Sequence, residues 1–451
     1  MRRVCWFRSD FRLTDNHMLH RALKDADSDD EMEFVFWLNP KYCEPFETRH
    51  DYFFATMRQF MDELDERELG LRVIVADTAE QFVKALGELD VLYFNAEYVE
   101  PFKQRDDAVI KALGEGVKVI RLLDRHLFAP NAFTKKDGDP YKVYTPFKKA
   151  AYAETPPAPY EVDVNALKRH VTTGHEVPSD LKRQFDRCER SWKALGEAAA
   201  KRRLSDFVAN RIDAYDEDRD IPAIAGTSRL SPYLRTGVLS IRTVTEAVLQ
   251  APKSSGRDTY YDELLWREFY YMIMVQFPGL KDRPFNDKYK HLDWENDDAN
   301  FQAWCDGKTG YPIVDAAMRQ LNETGWMHNR LRMIVASFLS KHLMIDWRKG
   351  ERYFEQKLID YEAASNIGGW QWAASVGTDA VPYFRIFNPT TQSEKFDGDG
   401  TFIRKYVPEL ADLDNKAIHF PDLTERDGYV DPIVDHKEAR ARALERFKDA
   451  Q

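Results

Sequence analysis

The chain has 451 residues, a formal net charge of −11, 43% hydrophobic and 31% charged residues. That length exceeds one ordinary core and predicts two domains, while the balance of residue types excludes a disordered or membrane-embedded protein. The acidic balance excludes nonspecific attraction of the whole surface to a polyanion, so any such contact requires a local basic patch. The opening MRRVCWFRSDF reaches charge and aromatics too early for the apolar core of a signal peptide, and the expected location is the cytosol, with no membrane contact. Cys5, Cys43, Cys188 and Cys305 lie far apart without CxxC spacing, so neither a disulfide framework nor a metal site is expected. Core packing accounts for most of the ten tryptophans.

In chain order, five short apolar runs predict strands at Arg3 to Phe7, Phe34 to Leu38, Leu71 to Ala76, Val91 to Phe94 and Lys118 to Leu123. Between the second and third, Phe53, Met57, Phe60, Met61 and Leu64 recur at helical spacing, which predicts a helix over Tyr52 to Leu64. Strands alternating with helices imply a parallel sheet with crossover helices. No GxGxxG follows the first strand, so a nicotinamide cofactor is not expected. TPPAPY at Thr155 to Tyr160 breaks regular structure, and a surface connection is expected over 131–190. From there to a last helix at His436 to Lys448 the pattern is helical. The fold class is thus α/β plus all-α, divided as an α/β domain at 1–130, a linker at 131–190 and a helical domain at 191–451.

Four segments carry chemistry. GTSRLSPYLRTG, Gly226 to Gly237, sets Thr227, Ser228 and Ser231 at a turn into a helix, which suits a pyrophosphate as well as it suits a capped helix start. In DELLWREFYY, Glu263, Trp266 and Arg267 stand at i, i+3 and i+4 and share a face, either as an ion pair beside a half-buried indole or as a pocket wall. In GWMHNRLRMIVASFLSKHL, Trp326, Asn329 and Met333 share a face flanked by Arg330 and Arg332, and His328 reads as a cap or core residue. The fourth, DYEAASNIGGWQWAASVGTDAVPYFRIFNPTTQSEKF from Asp360, holds Gly368, Gly369, Trp370 and Trp372 in a stretch that reads as too irregular for a core helix, with Arg385 and Lys395 as possible phosphate contacts.

Together these segments, from WFRSDFRLTDN at Trp6 to PIVDHKEAR, resemble the photolyase and cryptochrome family, most specifically over WCDGKTGYPIVDAAMRQLNETGWMHNRLRM. The resemblance implies an N-terminal Rossmann-like antenna domain and a C-terminal helical domain that binds FAD in its active FADH⁻ form. It implies flavin contacts from Tyr215, Thr227, Ser228, Arg229, Leu230, Ser231, Arg267, Asn329, Arg332, Asp360, Glu362 and Asn366, the last facing flavin N5. Glu362 departs from the family, where Asp is usual. Glu263, Trp266, Met333 and Trp372 match the walls of a lesion pocket, with Glu263 stabilising the dimer radical anion. Arg219, Arg330 and Arg385 match DNA phosphate contacts, and Trp294, Trp347 and Trp370 match a tryptophan chain that reduces the resting flavin.

The implied reaction is light-driven splitting of cyclobutane pyrimidine dimers in ultraviolet-damaged DNA by a monomer, with the electron returned to the flavin. WMHNRLRM resembles the class I cyclobutane-dimer enzymes; the 6-4 photolyases carry a second histidine at Asn329. Blue-light receptors of the plant and animal types usually replace Asn366 with Asp or Cys and often add a long tail. For the antenna chromophore, Lys281 points towards folate, favoured over a deazaflavin or an empty site, although Pro101 and Phe102 replace polar residues of folate-binding relatives.

Overall fold

Five parallel strands form one sheet in the order β3-β2-β1-β4-β5, from β1 (Arg2–Phe7), β2 (Glu31–Leu38), β3 (Arg72–Val75), β4 (Val91–Asn95) and β5 (Lys118–Leu122). The computed structural model describes residues 1–422, 424 and 428–450. Each strand stands within three residues of its expected bounds. Val4, Cys5, Trp6 and Phe7 are fully buried, as a central parallel strand covered on both faces requires. The register pairs Cys5 with Phe34 on one side and with Tyr93 on the other. Crossover helices α1 (His17–Asp25), α2 (Thr48–Asp65), α3 (Ala79–Leu86) and α4 (Phe102–Leu113) link the strands. Asn16 caps α1 and Thr78 caps α3 through side-chain oxygens that accept from Leu19 and Gln81 N–H groups. Helix α2 extends the predicted helix by four residues at its start.

The chain divides into two compact units. The first comprises Met1–Thr134, Ala150–Ile212 and Ser228–Glu268 and contains the sheet. The second comprises Lys135–Lys149, Asp213–Thr227 and Phe269–Gln451 and is helical in its described residues. The α/β and all-α architecture is therefore the one the sequence implies. The stretch 131–190 holds helices at Tyr144–Ala151, Val164–Leu167 and Ser179–Asp186, and Leu167 and Leu181 are fully buried. Thr155 to Tyr160 has no regular structure, as its prolines dictate. The last helix runs His436–Asp449. All four cysteines are free thiols, and burial pushes Cys43 and Cys188 up to about 11 and Cys305 up to about 12. Among the described residues no helix is long and apolar enough to cross a membrane.

Within the first unit a buried ionic network pins the segment after β1. Arg12 donates to both oxygens of Asp124 at 2.7 Å, and Arg242 donates to Asp124 at 2.7 Å and Asp15 at 2.8 Å. Asp124 is 1% exposed; the Arg12 and Arg242 guanidiniums outweigh its burial and hold its carboxyl well below the usual carboxylate range. Asp124→Asn leaves the buried Arg12 without its counter-charge and Arg242 with Asp15 alone, and is expected to cost about 3–5 kcal/mol in denaturant unfolding at pH 7. Because the folded carboxyl is depressed, its contribution is complete above the unfolded value of about 4 and drains as pH falls below it. The gap between wild type and variant should therefore shrink at acid pH; a constant gap would contradict the assignment.

Candidate functional site

In the first unit the hydroxyl-rich turn places Ser228 under cover, its Oγ accepting from Tyr260 Oη at 2.9 Å and from the Leu230 N–H at 3.4 Å. Arg229 adopts φ 52°, a left-handed conformation that turns the chain into the helix Ser231–Thr236. Ser231 is exposed and Leu230 is buried. Thr227 belongs to the second unit. Glu263, Trp266 and Arg267 lie on the helix Ser255–Gln276, each half-buried, while Leu264 and Leu265 turn into the core. Arg267 bonds to Glu268 at 3.2 Å and to His126 at 3.3 Å. Glu268 is 3% exposed and also accepts the Leu127 and Phe128 N–H groups at 3.0 and 3.3 Å, which fixes the arginine from behind. Burial, with Arg267 and Arg125 adding, pushes His126 well below the ordinary imidazole value, so it stays neutral at pH 7.

In the second unit the helix Ala363–Ala373 carries Asn366, Trp370 and Trp372. It is regular, which corrects the irregular stretch expected there. The glycines do not break it because Gly368 is needed for packing: a Cβ there would stand 2.2 Å from the Tyr270 ring. At Gly369 a Cβ would meet nothing within 4 Å, so the helix presents open space one turn after Asn366. Glu362 caps this helix, accepting from Ala364 and Ser365 N–H groups at 3.1 and 2.9 Å and from Ser365 Oγ at 2.9 Å. Asn366 donates through Nδ2 to the carboxyl of Glu351 at 3.2 Å, and Tyr361 Oη donates to the same carboxyl at 2.9 Å. Glu351 is 3% exposed, and burial raises its pKa above the ordinary value. With the amide nitrogen so held, the Asn366 oxygen is left as an acceptor.

Arg332 pairs with Asp360 at 2.8 Å and donates to the Met327 carbonyl at 2.9 Å. Asn329 and Met333 sit one turn apart on the helix Asn329–Ser337, whereas Trp326 precedes it, so the face expected to include all three holds two. His328 is the cap, its Nδ1 accepting from the Arg330 N–H at 3.2 Å, as read from the sequence. Tyr215 is buried and the Arg219 guanidinium lies 5.4 Å from its ring centroid. Arg330 pairs with Asp220 at 2.7 Å and lies 4.4 Å over the Phe396 ring, which also carries Lys395 at 5.0 Å. Trp372 is half-buried and Arg385 exposed. Lys281 pairs with Glu355 at 3.4 Å.

Trp347 and Trp370 are each 2% exposed, and Trp294 is half-buried, edge-on to Phe447 at 6.3 Å. Gly350, three residues after Trp347, is where Trp370 seats: a Cβ there would fall 2.1 Å from the indole. Trp370 also packs edge-on against Phe354 at 5.1 Å and Trp304 at 6.0 Å. Sequence reading missed Glu351, Tyr361 and Glu268. Each is a polar residue whose only signal is burial, and burial of a single carboxylate leaves no periodic mark. Gly350→Ala should lower the thermal midpoint by several degrees, since overpacking costs about 1–3 kcal/mol. Gly369→Ala should leave the midpoint unchanged or raise it, because alanine favours the helix. The reverse order would contradict this packing.

A family model described as the FAD binding domain of DNA photolyase matches residues 260–449, and one described as DNA photolyase matches residues 3–163. A deoxyribodipyrimidine photo-lyase of Alkalihalophilus pseudofirmus is 42% identical over 467 residues, spanning 99% of this chain and 98% of that protein. A crystal structure of a bacterial class III photolyase from Agrobacterium tumefaciens superposes with a TM-score of 0.89 at 35% identity, covering 99% and 97% of the two chains. An archaeal photolyase from Sulfolobus tokodaii, described with two FAD molecules and a novel light-harvesting cofactor, superposes with a TM-score of 0.86 at 30% identity over the whole of both chains.

Proposed function

Because the chain belongs to the DNA photolyase family, we infer that it is a light-dependent lyase of cyclobutane pyrimidine dimers in ultraviolet-damaged DNA. The observation that carries this reading is agreement over 99% of the chain with a relative named for that reaction. The side chains fit FAD. A helix offers open space at Gly369 and an amide acceptor at Asn366, and the Arg332–Asp360 pair adds a donor and an acceptor, a polar set suited to a flat, polar ring system. When bound and fully reduced, FAD supplies one electron to the dimer under near-ultraviolet or blue light and takes it back, so no net redox change results.

The protein's own residues bind and orient. Tyr215, Thr227, Ser228, Arg229, Leu230, Ser231, Arg267, Asn329, Arg332, Asp360, Glu362 and Asn366 are assigned as cofactor contacts, with Thr227, Ser228 and Ser231 at its pyrophosphate and Arg332, Asp360, Glu362 and Asn366 at its flavin ring. Glu351 engages the Asn366 nitrogen, so the amide oxygen would be free to accept from a protonated flavin N5. Glu362 spends its carboxylate on its own helix start, so the longer side chain serves as a cap as well as in any ring contact. Trp266, Trp372 and Met333 grip the faces of the extruded dimer, and Glu263 bonds its base edge; a dimer stacks poorly, so its extrusion costs less than that of a normal pair. Arg219, Arg330, Arg385 and Lys395 take phosphates, a local cationic set on an acidic protein. Trp294, Trp347 and Trp370 would relay an electron from an external reductant to the resting cofactor.

The working assignment of domains is an antenna domain at 1–130, a linker at 131–190 and a catalytic domain at 191–451. A folate is the favoured antenna, with a deazaflavin as the other chemistry to test by absorption of the native protein. The enzyme is assigned as a cytoplasmic monomer.

The purified, flavin-loaded protein should remove dimers from irradiated DNA, read with a dimer-specific antibody, under blue light and not in the dark. Full flavin occupancy without loss of dimers would instead identify a photoreceptor. Trp372→Ala removes a stacking surface worth about 1–3 kcal/mol and should weaken binding to a dimer-containing oligonucleotide while flavin content stays the same. Unchanged affinity would defeat the role given to Trp372.

A further inference from the structure

Lys341 has no solvent exposure, and it lies in the π-helical turn Phe338–His342, where every side chain is buried. Its Nζ donates to the Arg385 carbonyl at 3.2 Å, and among the described residues it forms no ion pair. Burial alone pushes its pKa down to about 7. An ammonium so far from water costs several kcal/mol to keep, and apolar residues of the same length would pack there without that cost. What the lysine holds is therefore informative.

It holds a loop. From Ala374 to Asn388 the chain runs without helix or strand. Both ends are tied down. Thr378 Oγ1 donates to the Lys142 carbonyl at 2.6 Å, Asp379 accepts the Tyr144 N–H at 3.1 Å, and Asn388 caps the helix Pro389–Phe396. Inside the loop a turn closes through the Arg385 N–H and the Pro382 carbonyl at 2.9 Å, and Tyr383 lies flat on Phe447. Among the described residues, the Lys341 bond is the one hydrogen bond that ties the main chain of 380–387 to another element. At the residue so tied, the side chain is exposed, and its neighbour Phe384 is 55% exposed.

We propose that Lys341 is a positioning residue for DNA binding, fixing the Arg385 carbonyl from inside the unit so that the Arg385 guanidinium is displayed to a phosphate. This rests on the assignment of Arg385 to a phosphate made above. A lysine that never reaches the surface then controls a surface charge: without it the loop samples more conformations, and the guanidinium loses the pre-organisation that a phosphate contact rewards.

The test is a double-mutant cycle on the flavin-loaded, full-length protein, with Lys341→Met, Arg385→Ala and the pair together. Affinity for a dimer-containing oligonucleotide is measured over a range of salt, and repair is measured at saturating DNA. Arg385→Ala should weaken binding roughly threefold to tenfold and make the slope of log K against log salt shallower by about 1, as loss of one phosphate contact requires. Lys341→Met should reproduce much of both effects, keep repair at saturating DNA, and add nothing when combined with Arg385→Ala. Lys341→Leu, which also lacks a donor, is read in the same way if the methionine variant does not accumulate.

If Arg385→Ala leaves affinity and slope untouched, the phosphate assignment itself fails. If Arg385→Ala weakens binding while the Lys341 variants keep the wild-type affinity and slope, or if the two losses add, the positioning role is overturned and the DNA surface stands.

Discussion

A buried carboxyl must be satisfied, and the way Glu351 is satisfied governs the second unit. Its partners are the Tyr361 hydroxyl and the Asn366 amide, so the helix Trp347–Lys357 is bonded to the start and the middle of the stretch from Tyr361 through the helix Ala363–Ala373. Both bonds fall on the same oxygen, Oε1, so losing one partner weakens its satisfaction and losing both leaves a desolvated acceptor. The consequence is chemical as well as structural. An asparagine held by its nitrogen presents oxygen, and an acceptor is what a protonated ring nitrogen requires. The same helix carries Trp370 and Trp372, so fixing one residue fixes the direction of the others.

Two glycines show how the packing was made to serve this. Gly350 removes a Cβ where the Trp370 indole must lie, so that the helix of Trp347 and the helix of Trp370 pack closely. Gly369 removes one where nothing of the protein fills the space. Glycine in a helix costs about 0.5–1 kcal/mol relative to alanine, and at Gly350 that cost is offset by close contact. In the first unit the comparable device is ionic: Asp124 between Arg12 and Arg242 anchors the WFRSDFRLTDN segment, and Glu268 does the same for Arg267.

Much of this was legible in the residues. The sheet could be read because parallel strands buried on both faces are uninterrupted apolar runs, as Val4 to Phe7 show. His328 was legible as a cap because it stands just before an apolar-periodic helix. The helix Ala363–Ala373 was not, since paired glycines and closely spaced tryptophans argue against a helix unless the partners are known, and Tyr270 is such a partner, nearly a hundred residues away. Glu351 and Lys341 were invisible for a related reason. Glu351 sits among charged neighbours and Lys341 in an apolar run, and only the three-dimensional packing shows that water cannot reach either.

The central claim is that repair is a loan of one electron, and the most direct measurement follows both sides of it. Anaerobic protein with fully reduced flavin and bound dimer is given a single blue flash, and dimers lost and flavin absorbance are recorded together. Dimers should disappear while the reduced-flavin spectrum returns to its starting value. Dimer loss matched one for one by lasting flavin oxidation, or a complete photocycle with every dimer intact, would contradict it.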